Sequence, residues 1–217
     1  MKRTLIGLFA LLFAGAVLIG CGGESHDDNG DDGKKYEDKQ NDNNDDKPEL
    51  PASEGLQFEL NDNRTSYCVK GIGSCTDTDI VIPSQYENLP VSAINASAFR
   101  KCDTITSVTI PNSITSIGNT AFSNCTSLTS VTLGNGVKSI GRSAFSGCTN
   151  LGSIEIPDRV TSIEESSFSG CTSLTNVKIP DSVTSIEDSA FAHCDALTSV
   201  TLGEGLDPPG RVISTER

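Results

Sequence analysis

The chain has 217 residues, and its 29 acidic side chains outnumber its 16 basic ones, for a net charge of −13. Because so acidic a chain is repelled by phosphate backbones, we expect no nucleic-acid partner. It has two histidines and no tryptophan, and it shows neither a glycine-rich phosphate loop nor carboxylates placed for acid–base catalysis. We therefore predict that the protein is not an enzyme.

The first 20 residues have the pattern of a cleaved bacterial export signal. Two basic residues precede an apolar run from 5 to 19, which is too short to span a bilayer as a helix of the mature protein. The sequence LIGC at 18–21 resembles the lipobox of bacterial lipoproteins. This resemblance implies cleavage before Cys21 and attachment of acyl chains to it, so that a covalent lipid anchors the protein to the membrane. No other cofactor is expected.

Residues 21–53 are predicted to be the lipidated cysteine followed by a disordered acidic tether. Residues 22–50 carry eleven acidic and four basic side chains, a net charge of −7. With almost no apolar residues, this stretch cannot bury a core. Its acidic cluster close behind the cysteine resembles the signals that send lipoproteins of some Gram-negative bacteria to the outer face of the outer membrane. We therefore expect a surface-exposed lipoprotein of the outer membrane.

Residues 54–97 are predicted to form an N-terminal cap and a divergent first repeat. The segment 55–75 alternates apolar and polar residues around turn residues, which favours a strand or hairpin. The stretch SQYENLP carries five residues more than the later repeats, and we predict a loop there. Cys68 and Cys75 flank a turn with two glycines, and they are the one cysteine pair placed for a disulfide, the alternative being two free thiols.

Residues 98–206 follow a 23-residue period. Phenylalanine recurs at Phe99, Phe122, Phe145, Phe168 and Phe191, and cysteine recurs at Cys102, Cys125, Cys148, Cys171 and Cys194. One copy reads AFSNCTSLTSVTLGNGVKSIGRS. In its segment LTSVTL, Val131 and Leu133 suit the buried face of a short strand, so Ser130 and Thr132 point the other way.

The period predicts a β-rich solenoid of about five coils, because one copy cannot cover its own apolar edge. A proline or glycine after each strand makes a corner. The segment with the Ala-Phe pair and the cysteine then forms a short connection, here called the return, to the first strand of the next coil. It is long enough for one helical or 3₁₀ turn. We expect the repeated cysteines to be buried thiols that pack as small hydrophobes. They are not expected to bind metal, since equally spaced cysteines without nearby histidine form no ligand set.

The repeat AFxxCxxLxxVxIPxxVxxI and the leading segment TDTDIVIPSQYENLPVSAI closely resemble the BspA-type leucine-rich-repeat surface proteins of bacteria. That family is described mainly as adhesins that bind host matrix proteins, host cells or other microbes. The resemblance implies a leucine-rich-repeat binding module on the cell surface, with an extracellular protein or glycan as its ligand. Two alternatives are an accessory lipoprotein that captures glycans or peptides for nutrient uptake, and a truncated repeat protein without independent activity.

Solenoids bind ligands through side chains that project from successive strands on one face. The strongest candidates here are Glu155 and Lys178, which carry charges where other copies have hydroxyl groups. Thr132 and Asn176 project from the same predicted strands. The alternative is that these polar residues are solvated positions of good β propensity without a ligand.

Residues 207–217 are predicted to be an irregular tail. After Leu206 the sequence DPPGRVISTER departs from the repeat and contains no polar capping unit. A bare last coil exposes apolar surface and strand edges, which favours association. Self-association through the C-terminal coil is therefore expected.

Overall fold

The computed structural model describes residues 51–206, which all belong to one unit of the chain. This range forms β-strands joined by turns, and it contains no helix that could cross a membrane. The strands are β1 (Gln57–Leu60), β2 (Tyr67–Gly71), β3 (Asp79–Val81), β4 (Gln85–Tyr86), β5 (Leu89–Ile94), β6 (Ser107–Thr109), β7 (Ser116–Ile117), β8 (Ser130–Thr132), β9 (Ser139–Ile140), β10 (Ser153–Glu155), β11 (Ser162–Ile163), β12 (Asn176–Ile179), β13 (Ser185–Ile186) and β14 (Ser199–Leu202). The predicted export signal, Cys21, the tether up to residue 50 and the tail lie outside the described residues. The predicted tether ended at residue 53, but Ser53 is buried against the first coil, so it belongs to the folded part. The other domain boundaries stay predictions.

Each turn of the structure contributes one strand to a parallel sheet, here called the main sheet. Its order is β14-β12-β10-β8-β6-β3. The pairing repeats the sequence period, since Ser107 lies opposite Ser130 and Asn176 opposite Ser199. The predicted solenoid is therefore confirmed, with about six turns where the sequence indicated about five. The additional turn is the divergent first repeat, which contains β3.

The shorter strands form a second ladder on the far side of each turn. Strands β2, β5, β7 and β9 pair in parallel, as do β11 and β13. Strand β1 pairs antiparallel with β2, so of the strand or hairpin predicted at the start of the stack, the structure has the hairpin. The loop predicted in SQYENLP is instead a second hairpin, because β4 pairs antiparallel with β5. Its connecting residues Glu87 and Asn88 both have positive φ, 47° and 64°, as a tight two-residue hairpin turn requires.

The periodic phenylalanines form a continuous stack in the core. Neighbouring rings are parallel within 9°, and their centroids lie 5.0 to 5.6 Å apart. Each of the five rings is at most 1% exposed. Since each ring is covered by the ring of the next turn, its burial is gained only when the turns are stacked.

The return from one coil to the next consists of turns, so the helical or 3₁₀ turn allowed for by the sequence is not found in the described residues. Left-handed backbone recurs there every 23 residues, at Ser97, Thr120, Ser143, Ser166 and Ser189. This conformation is uncommon for residues other than glycine. The returns are tied to one another by backbone hydrogen bonds. The amide of Phe145, for example, donates to the carbonyl of Ser167 at 2.8 Å.

The two edges of the main sheet differ. At the N-terminal edge, the amide of Ser53 donates to the carbonyl of Val81 at 2.9 Å, and its hydroxyl accepts from the amide of Val81 at 3.0 Å. These bonds satisfy backbone groups of β3 that would otherwise stay open. At the other edge, Leu202 of β14 is 50% exposed. Residues beyond 206 are not described, so self-association through this coil stays a prediction.

Gly136 lies at the corner after β8, where the backbones of two turns touch. A Cβ atom there would lie 1.8 Å from the carbonyl oxygen of Asn112 in the preceding turn. Because that oxygen belongs to the backbone, relief requires movement of the coil. We expect Gly136→Ala to lower the free energy of unfolding by about 1–3 kcal/mol, as overpacking does, measured by urea denaturation. Gly152→Ala is the matched control, since its Cβ would meet nothing within 4 Å. Equal losses in both variants would contradict the expected clash.

Candidate functional site

The outer face of the main sheet carries the residues predicted to bind a ligand. In β8 and β10 the burial pattern is exposed, buried, exposed, and β12 begins in the same way. The middle residue of each strand enters the core, while its two neighbours face solvent. Across the sheet these neighbours form two rows, Ser107-Ser130-Ser153-Asn176-Ser199 and Thr109-Thr132-Glu155-Lys178-Thr201. We call these two rows the polar strand face.

The structure brings the four predicted binding residues onto three adjacent strands. Glu155 of β10 and Lys178 of β12 are direct Cα partners, so their opposite charges are neighbours. Both side chains are exposed, and neither forms an ion pair with any residue from 51 to 206. Thr132 is exposed on the next strand, β8. Asn176 donates from its amide to the hydroxyl of Thr175 at 3.1 Å. The two charges are thus available for an external partner.

A groove of about 460 Å³ adjoins Lys178 at the end of this face. Its lining residues include Asp158, Asp181, Thr201 and Leu202. Leu202 adds an exposed apolar surface beside the lysine. Sequence reasoning missed this residue because its place in the repeat indicated a buried strand position. Its exposure follows from the absence of a further strand beside β14 among the described residues.

The repeated thiols form a buried ladder beside the phenylalanine stack. Four of them donate to the carbonyl of a phenylalanine in the preceding turn at 3.0 to 3.2 Å, namely Cys125, Cys148, Cys171 and Cys194. Burial raises the pKa of Cys171 to about 12, so the thiolate form is absent near neutral pH. These thiols are structural, as predicted, although Cys102 is only partly buried. Within residues 51–206, no three potential ligands gather into a metal site.

Among residues 51–206, Cys68 and Cys75 are free thiols, the alternative to the disulfide considered between them. In β2, Cys68 precedes the buried Val69 and lies opposite the exposed Glu59, so it faces away from the core. Cys75 follows the strand and packs against the core. The two thiols therefore lie in different surroundings, Cys68 facing away from the core and Cys75 against it.

An aromatic cluster covers the N-terminal cap. Phe58 and Tyr86 stack with centroids 4.2 Å apart and an angle of 20°, and Tyr67 meets Tyr86 edge-on at 4.9 Å. The Tyr67 hydroxyl donates to Glu87 at 2.5 Å, and this bond raises the pKa of Tyr67. The repeat pattern of the sequence does not predict this cluster. Its one signal was the five-residue insertion that contains Tyr86.

Comparison with known proteins places this stack of coils in a family. A sequence model of the BspA type leucine rich repeat region matches residues 92–208 in six copies. The chain belongs to the BspA-type leucine-rich-repeat family. This confirms the resemblance seen in the repeat. Leucine-rich-repeat families of this kind are generally binding scaffolds rather than enzymes.

Two solved structures are similar in fold to this chain. A leucine rich repeat protein from T. pallidum is 28% identical, with a TM-score of 0.64, over 70% of this chain and 81% of its own. A leucine rich cell surface protein from Faecalibacterium prausnitzii is 33% identical, with a TM-score of 0.63, over 79% of this chain. The match spans 44% of that protein. No curated protein matches the chain.

Proposed function

We propose that this BspA-type protein is a cell-surface binding module, an adhesin that binds an extracellular protein through its polar strand face. The observation that supports it most is the pair of adjacent charges of Glu155 and Lys178, which form no ion pair within residues 51–206 and lie in ordered rows of hydroxyl groups. The description of the F. prausnitzii relative as a cell surface protein supports the location.

The backbone hydrogen bonds of the main sheet hold these side chains in place before a ligand arrives. Preorganisation lowers the entropy lost on binding. Opposite charges on neighbouring strands favour a partner with the complementary arrangement and disfavour one with a single sign of charge. The hydroxyl rows supply further hydrogen bonds, and Leu202 supplies an apolar contact in the groove beside Lys178. A folded protein surface presents all three kinds of group.

Binding of immobilised fibronectin, fibrinogen and collagen by the full-length protein tests this proposal. For the protein that binds, Glu155→Ala and Lys178→Ala are each expected to weaken affinity about 5- to 30-fold, the effect of losing a central interface contact. Glu187→Ala and Lys138→Ala are matched controls, because both remove exposed charges outside the main sheet. Equal affinity in all four variants would rule out the polar strand face as the binding surface.

The proposed location on the outer membrane rests on the lipobox ending at Cys21 and on the acidic tether. Protease treatment of intact cells, with mass measurement of the N-terminal peptide, tests it. We expect the protein to be digested on whole cells, and the peptide that begins at Cys21 to carry the mass of acyl chains. A Cys21→Ser variant is expected to lose this mass and the membrane attachment. Protection from protease on intact cells would contradict surface exposure.

Glycan capture for nutrient uptake is the second candidate function. The observation that favours it is the exposed Tyr86 in the aromatic cluster, since 38% of this residue is accessible. Saturable glycan binding without a protein ligand would favour this role over adhesion. Failure to bind any protein or glycan would favour a repeat protein without independent activity.

A further inference from the structure

The aromatic cluster of Phe58, Tyr67 and Tyr86 is separate from the polar strand face. In the described part of the chain, these are the aromatic residues that do not belong to the phenylalanine stack. They are contributed by β1, β2 and the hairpin strand β4. The strand β4 belongs to the inserted residues that no later turn contains. The cluster is therefore a feature of the N-terminal cap that the later turns do not contain.

The cluster holds an exposed ring in a fixed orientation. Tyr86 stacks on Phe58 and lies at 88° to the ring of Tyr67, yet it stays 38% exposed. In contrast, the rings of the phenylalanine stack are at most 1% exposed. Tyr86 therefore packs in the cap and still keeps part of its surface accessible to solvent. A rigid exposed ring loses little conformational entropy when a ligand packs on it.

Polar residues flank Tyr86 along the hairpin. Gln85, Glu87 and Asn88 belong to the same hairpin, and all three are exposed. One carboxylate oxygen of Glu87 accepts from Tyr67, which fixes the carboxylate and leaves its other oxygen able to accept from a ligand.

We propose that this cluster is a second binding site, for a neutral sugar residue of a polysaccharide. The C–H face of a pyranose is apolar and slightly positive, so it packs against the negative face of an aromatic ring. Its hydroxyls match the amide and carboxylate groups of Gln85, Glu87 and Asn88. Because Glu87 places a carboxylate within the cluster, anionic glycans are disfavoured. A quaternary ammonium has no place between Phe58 and Tyr86, since rings 4.2 Å apart are in contact.

Tyrosine fluorescence of the full-length protein tests this site directly. The chain has no tryptophan and three tyrosines, two of which belong to the cluster. The probes are soluble starch, β-glucan, galactan and mannan, in a detergent without a sugar headgroup. We expect at least one of them to change the fluorescence saturably. Tyr86→Ala is expected to lower the affinity for it at least tenfold, Glu87→Gln to lower it severalfold, and Tyr86→Phe to retain it within about threefold.

The controls separate this site from the polar strand face. Lys178→Ala is expected to leave polysaccharide binding unchanged, while Tyr86→Ala is expected to leave protein binding unchanged. If Tyr86→Ala unfolds, as thermal denaturation would show, the comparison of Tyr86→Phe with Glu87→Gln decides. The proposal fails if none of the four polysaccharides binds saturably. It also fails if Tyr86→Ala binds the polysaccharide as tightly as the unaltered protein does. If Tyr86→Ala does not fold, the same comparison is made with Glu87→Gln. Adhesion through the polar strand face would survive that result.

Discussion

Replacement of Phe145 by alanine is expected to lower the free energy of unfolding by about 3–5 kcal/mol, the range for a buried phenylalanine. The ring is fully buried in the middle of the stack, 5.2 Å from Phe122 and 5.6 Å from Phe168. Its removal leaves a cavity that neither neighbouring ring can fill, because backbone hydrogen bonds fix the spacing of the turns. Both neighbours lose a stacking partner as well.

Urea denaturation at neutral pH measures this loss. Phe191→Ala is the matched comparison, because Phe191 has one ring neighbour among the described residues, Phe168 at 5.3 Å. It is expected to cost less than Phe145→Ala. Thr132→Ala, on the exposed face, is expected to change stability by no more than about 0.5 kcal/mol. A smaller loss for Phe145 than for Phe191 would show that the stack is not the source of coil-to-coil cohesion.

Most of the fold was predictable from the sequence because each coil repeats the same pattern of buried and exposed residues. In a stack of equal coils, residues at the same place in successive repeats become neighbours. The ring centroids of Phe99 and Phe122 accordingly lie 5.0 Å apart, and those of Phe122 and Phe145 lie 5.2 Å apart. The alternation in β8 likewise predicts that Val131 is buried and Thr132 exposed. Glu155 and Lys178 are neighbours on adjacent strands because they are one repeat period apart in the sequence.

The N-terminal cap was predictable only in outline, since it does not repeat. A two-residue hairpin turn is commonly marked by Asn-Gly, but this turn uses Glu87 and Asn88, so it lacks the usual signal. Phe58 and Tyr86 are 28 residues apart, and no period brings them together. Their stacking depends on how two hairpins meet over the first turn. The packing of the cap therefore does not follow from the sequence, and neither does the lack of an ion pair at Glu155 and Lys178 within the described range.

The buried thiols are expected to make the protein sensitive to alkaline pH. Burial raises the pKa of Cys125 and Cys171 to about 12 and that of Cys194 to about 11. It raises the pKa of Cys148 as well. In the unfolded chain these thiols ionise near their ordinary value of about 8.5. Between about pH 9 and 11 the unfolded state therefore loses protons that the folded state keeps.

The sign of this effect follows from proton linkage. Where the unfolded state binds fewer protons, stability falls as pH rises. The stabilisation is complete below about pH 8.5 and is lost progressively until the folded thiols also ionise, near pH 11 to 12. Each thiol that stays protonated contributes a slope of about 1.4 kcal/mol per pH unit. With four such thiols, we expect the protein to unfold cooperatively within this range.

Urea denaturation at pH 8, 9, 10 and 10.5 measures the slope, and Cys148→Ser isolates the contribution of one thiol. The serine hydroxyl does not ionise in this range, and it can donate to the carbonyl of Phe122 as the thiol does. The titration of lysine and tyrosine is common to both proteins, so it cancels in the comparison. We expect the thiol-dependent part of the slope to fall by about a quarter in Cys148→Ser. Equal slopes in the two proteins would mean that Cys148 ionises in the folded state, and the buried ladder would then not control alkaline unfolding.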